Sequence, residues 1–217
     1  SVVSPTHAGA RDASSGTFSG TSSRFASAIK YSKVAGLRGN TFNVTRYFIE
    51  FDTSGISTTP VSADLSLYGF ANNSADFFVV KADFSDGSIG NADFDSIVGW
   101  SAGADNSSNV TKYSAEVETF STSAFNDIAL NSTALSDMAS VDNFKLCLIQ
   151  ADHDLPNNDA LGVVQQTGFW RTFNTIHLDY TAGAAGYGHD VVGVAAANIG
   201  KVNGVATANI GKINTVD

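Results

Sequence analysis

The sequence predicts an all-β fold, an antiparallel β-sandwich that runs into a short extended C-terminal repeat tail. Three observations carry that expectation. The first is alternation. Over residues 45–52, Tyr47, Ile49 and Phe51 share one face while Arg46, Glu50 and Asp52 take the other. Over 61–68, Val61, Ala63, Leu65 and Leu67 alternate with Ser62, Asp64 and Ser66, the period of two expected of a strand with one dry face. The second is composition: the 217 residues are 43% hydrophobic and only 15% charged, with 15 Phe and 20 Gly, a turn-rich makeup poor in helix formers. The third is an internal repeat, in which Ile199 and Lys201 recur as Ile210 and Lys212 at a spacing of 11 residues.

Taken in order, residues 1–23 are rich in Ser, Gly and Thr without periodicity and read as an irregular lead-in, leaving 24–182 for the sandwich. A first strand is expected over 24–34, with Phe25, Ile29 and Tyr31 on one face. The strands at 45–52 and 61–69 follow, joined by a loop punctuated by Gly55 and Pro60. Residues 77–82 form a continuous apolar run suited to a strand covered on both faces. Residues 91–98 read as one helical turn capped by Asn91 or Asp93, and 104–111 as a polar loop. A half-buried strand is expected at 113–119, with Tyr113, Ala115 and Val117 inward and Glu116 and Glu118 outward.

The segment 132–138 predicts a brief helix capped by Asn131 or Ser132, with Leu135 and Met138 on one face. Residues 144–150 are the most apolar strand and the natural centre of a sheet; Cys147 within them reads as a small buried hydrophobe. The last strands are expected at 162–164 and 173–180, where Ile176 and Leu178 point in and His177 and Asp179 point out. Residues 183–190 read as a Gly-rich hinge, because Gly183, Gly186 and Gly188 weaken regular structure. Many short strands, scarce helix and frequent turns make an antiparallel sandwich.

The tail at 191–217 is expected to be extended rather than helical, since each Gly costs about 1 kcal/mol in a helix relative to Ala. It is too small to bury a core alone. Val191, Val194, Ile199, Val202, Val205, Ile210, Ile213 and Val216 are its candidate assembly residues, expected to gain order against other copies or as strands added to a neighbour.

Two binding sites are candidates. Asp152, Asp154, Asn157 and Asp159 gather oxygen donors suited to a hard cation such as calcium, in a loop that lacks the EF-hand Gly and Glu; a solvated turn is the competing reading and the favoured one. Trp100 and the run Phe169, Trp170 and Arg171 offer flat apolar faces with a polar rim, suited to a sugar ring; the competing reading places these rings in the core. No nucleophile elbow, phosphate loop or paired-histidine metal motif occurs in the sequence, so no enzyme is expected. A net charge of −9 argues against a nucleic-acid backbone as partner. No run is long enough to span a membrane.

Residues 46–54, 61–68 and 175–181 together give the domain a resemblance to the DNRLRE family, β-sandwich modules related to carbohydrate-binding jelly rolls. The resemblance implies a jelly-roll-like sandwich. The C-terminal run Ile-Gly-Lys-Val-Asn-Gly-Val is similar to segments of bacteriophage fibre and virion-surface proteins. That likeness implies a virion structural protein, a capsid decoration or fibre component at the virion surface, whose partners are copies of itself or other virion proteins. A carbohydrate-binding module of a secreted or cell-surface protein, with a surface glycan as partner, is one alternative. A subunit of a non-viral extracellular filament is another.

Overall fold

In the computed structural model, strand Ser62–Asn73 (β5) is shared between two pairings that set the shape of the larger sheet. The structure describes residues 1–17, 27–87, 89–171 and 176–183, with two short strands at 201–202 and 205–206. The remaining elements in chain order are β1 (Val2–Ser4), α1 (His7–Arg11), β2 (Ser27–Gly36), β3 (Gly39–Thr45), β4 (Tyr47–Asp52), β6 (Phe77–Lys81), β7 (Phe125–Ala129), α2 (Ser132–Met138), β8 (Asn143–Gln150), β9 (Val164–Trp170), β10 (Ile176–Thr181), β11 (Lys201–Val202) and β12 (Val205–Ala206).

The first half of β5 pairs with β10 on one edge and β7 on the other, Leu65 lying opposite both Leu178 and Ile128. Its second half pairs with β9 after a register shift between Gly69 and Ala71. Only glycine fits at Gly69, where a Cβ would stand 1.8 Å from the Ser121 carbonyl oxygen. Beyond β9 the sheet continues through β2 and β3 to β1, all antiparallel.

The second sheet is β4-β8-β6, with β8 central as its apolar run predicts. The two sheets pack face to face in an antiparallel sandwich. Ile29, Leu65, Leu67 and Trp170 from the larger meet Phe77, Val79, Phe144, Leu146 and Leu148 from the smaller, all buried. Alternation then sends Val80, Cys147 and Ile149 to the outer face of the smaller sheet, where Phe84, Ile97, Val110 and Leu155 cover them. Residues 77–82 are therefore dry on both faces, as expected. Cys147 is fully buried, and burial pushes its thiol well above the ordinary value.

Local signals explain the helices. Asn131 caps α2 by accepting from the Ala134 amide at 3.1 Å, as the sequence predicts. The turn at 91–98 shortens to a 3-10 turn, Asn91–Asp93, and its cap is Gly90, whose amide donates to Asp93 Oδ2 at 2.7 Å, not Asn91 or Asp93 itself.

Five expectations need correction. The N-terminal lead-in is not irregular throughout: β1 adds to the sheet edge and Thr6 caps α1, which buries Ala10 beside Tyr31 and Val44. Arg46 is buried and not solvent-facing, because Phe94 and Trp100 cover it at the break between β3 and β4. Val61 precedes β5 and is exposed. Residues 113–119 make only isolated bridges, through Ser114 and Val117, and Ala115 is exposed. The strand read at 162–164 begins at Val164 and extends to Trp170. Phe25 and residues 173–175 lie outside the described residues, as do 184–190 of the hinge.

In the tail, β11 and β12 pair antiparallel with Val202 opposite Val205 and Lys201 opposite Ala206. The dipeptide between them in the sequence is Asn203-Gly204, the pair most favoured in two-residue hairpins. Of the candidate assembly residues, Val202 and Val205 lie in this ladder; Val191, Val194, Ile199, Ile210, Ile213 and Val216 lie outside the described residues.

Candidate functional site

One residue singled out for metal, Asp154, and one singled out for sugar, Trp100, meet in a buried ionic hub. Asp154, fully buried, accepts from Arg46 Nε at 2.9 Å and Arg46 Nη2 at 2.7 Å, the two-pronged geometry that suits a guanidinium. Arg46 also donates to the Phe94 and Arg11 carbonyls at 2.8 and 2.9 Å. Arg11, equally buried, donates to the Asp154, Ala104 and Leu155 carbonyls and to Asp12. Trp100 stacks on both cations, 4.0 Å from Arg46 and 4.4 Å from Arg11. It is held there by Gly99, whose φ of +87° suits glycine alone and whose missing Cβ admits the Asn109 carbonyl. The hub clamps α1, the β3–β4 break and two loops together.

The proposed calcium loop is thus dispersed. Asp154 is spent on Arg46. Asn157 takes a left-handed backbone, accepts from His7 Nε2 at 3.2 Å and donates to the Gly103 carbonyl. Asp159 pairs with Lys33 at 2.8 Å. Asp152 turns away and accepts from Gln166 at 2.7 Å. The four do not converge on one cation. The sugar platform also separates: Trp170 is fully buried against Tyr47, Phe77 and Phe120, and Phe169 sits on the opposite face of the same strand. Trp100 is occupied by the arginines.

Sequence reasoning missed two surface features. On the outer face of β7-β5-β10, Tyr68 meets Phe125 edge-on at 5.2 Å, and Phe125 meets His177 at 5.1 Å. Arg171 of the predicted platform lies over Phe70 at 5.1 Å. Phe70 is 52% exposed and Phe125 45%. His177 Nε2 lies 3.2 Å from Asp179 Oδ2. Aromatic faces rimmed by a guanidinium and carboxylates are the chemistry of a sugar-binding surface. The signal in the sequence was the outward set of β5, Asp64, Ser66, Tyr68 and Phe70, read across to β10.

The second feature is acidic. Asp76, Glu116 and Asp152 bring carboxylate oxygens within 4.8 Å of one another. Burial, reinforced by Asp152 and Glu118, holds Asp76 above its ordinary carboxyl value; burial and the neighbouring acids do the same to Glu116. Among the described residues this is the group whose donor set suits a hard cation. Beside it an open groove of about 510 Å³ runs between 114–119 and β7, lined by Glu116, Glu118 and Asp127.

No family model matches this chain, and neither a curated protein nor a solved structure does. No helix among the described residues is long and apolar enough to cross a membrane.

Proposed function

We propose that the chain is a non-enzymatic structural protein of a bacteriophage particle, a capsid decoration or fibre component that self-assembles or docks through its C-terminal repeat and displays the sandwich at the virion surface. The supporting observation is the antiparallel pairing of β11 with β12, which joins the end of one repeat unit to the start of the next. Units too short to bury a core order themselves by such ladders, and the ladder extends to further copies at its open edges. Light scattering across a concentration series tests it. The full chain gives a mass that grows with concentration, and Val202→Pro with Val205→Pro reduces it to one chain; an unchanged mass removes the basis for assembly through the repeat. A filament outside any virus would pass the same test and separates from this reading by which particle carries the chain.

The outer aromatic face favours a second reading, a carbohydrate-binding module of a secreted or cell-surface protein. A glycan array tests it: binding by the full chain that Phe70→Ala or Arg171→Ala abolishes supports the face as the binding surface, and an array without binding removes this reading.

A further inference from the structure

We propose that the acidic groove between β7 and residues 114–119 is the acceptor for a C-terminal repeat of a second copy, which enters as an added strand along the free edge of β7. The inference rests on the assembly reading above and names the partner surface for it.

The groove runs along one of the open strand edges of the sandwich. Its ends are tied: Ser114 bridges Leu130, with the Asn131 amide on the Tyr113 carbonyl at 2.8 Å, and at the far end Asn126 accepts from the Ser121 amide at 2.6 Å. Between these ties, no backbone hydrogen bond joins 116–119 to 125–129 among the described residues. β7 pairs with β5 along one edge, through bonds such as Leu130 to Ala63. In an antiparallel ladder alternate residues turn their amide and carbonyl to the other edge, which for β7 presents Asp127 to the gap. An edge left open in this way is a template for an incoming strand.

Charge selects the occupant. Glu116, Glu118 and Asp127 line the groove, and Asp76 and Asp152 stand beside Glu116. In a chain of net charge −9, residues 191–212 carry Lys201 and Lys212 and no carboxylate. Each repeat unit supplies β-branched residues for a strand and one lysine for the acidic rim. Two units stand against one groove per chain, so a tail folded back on its own groove leaves a unit for a neighbour, and the surplus links copies.

The test is a charge swap in the full chain, read as mass by light scattering. Glu116→Lys with Glu118→Lys weakens association about tenfold or more, Lys201→Glu with Lys212→Glu does the same, and mixing the two variants restores a complex. Wild-type association that weakens with salt supplies a check that involves no variant. If only the tail variant loses association, assembly through the repeat stands and the groove is not its acceptor. If a chain carrying all four changes at once is single and its repeat resists protease, the repeat occupies its own groove and the second copy is overturned. A wild-type chain that stays monomeric overturns the assembly reading and this one with it.

Discussion

Two polar clusters sit about the smaller sheet and treat charge in opposite ways. In the Arg11–Arg46–Asp154 hub the groups are buried, and the guanidiniums find partners in a carboxylate or in main-chain carbonyls. In the Asp76–Glu116–Asp152 cluster the groups are partly exposed, of one sign, and close enough to repel. Burial is tolerable only when charge is compensated, so the hub serves the fold. Like charges at a surface cost less and attract a cation, the property on which the proposed groove relies. The difference teaches that the buried charges of this protein are compensated within the fold, while the like-signed carboxylates are kept toward solvent.

The sharpest way to break the comparison is Asp154→Ala, which strands Arg46 without its carboxylate. Urea denaturation should show a loss of about 3–5 kcal/mol. Pairing Asp154→Leu with Arg46→Met should cost less than the two single changes together, because no lone charge remains.

Next in size is a pH effect at the hub's margin. His7 is buried, accepts from the Tyr31 hydroxyl through Nδ1 at 2.9 Å and donates to Asn157 through Nε2. Burial holds its imidazole below the ordinary value, against the opposing pull of Asp159 and Asp154, and Arg11 adds to the lowering. The unfolded chain therefore takes up a proton near pH 6.5, which the folded chain accepts only at lower pH. This contribution to stability is whole above about 6.5 and falls as pH drops below it. Urea midpoints between pH 8 and 5 should decline, and His7→Gln should flatten that slope.

At the acidic cluster the sign reverses. Asp76 and Glu116 are raised in the folded chain, so it binds more protons than the unfolded chain, and their share of stability rises as pH falls. Asp76→Asn should therefore stabilise the protein at pH 7, by under about 1 kcal/mol, with a gain that shrinks on acidification. Smallest is salt: raising ionic strength should stabilise the wild type slightly through screening and leave Asp76→Asn with Glu116→Gln almost unmoved.

The sequence carried the strands whose environment is uniform along their length. Leu65 and Leu67 and the run 144–150 read correctly because one face, or both, stays dry throughout, and Ile176 and Leu178 because both pack against the core. β7 was missed because it buries a single residue, Ile128, too few for a period. β1 and α1 are too short to show one. The hub was illegible for another reason: Arg11, Arg46 and Asp154 stand 35 and 108 residues apart, so no local spacing encodes their meeting. Trp100 and Asp154 looked like ligand-binding residues because the chemistry that suits a ligand also suits a buried arginine.

The place of Cys147 has a practical consequence for watching this molecule move. It is the sole thiol of the chain, fully enclosed on the central strand of the smaller sheet, and kept protonated by that enclosure. An alkylating reagent reaches it only when the cover of Phe84, Ile97, Val110 and Leu155 lifts from that sheet. The speed of labelling in native buffer is then a stopwatch for the lifting of that cover, and no probe need be engineered to start it.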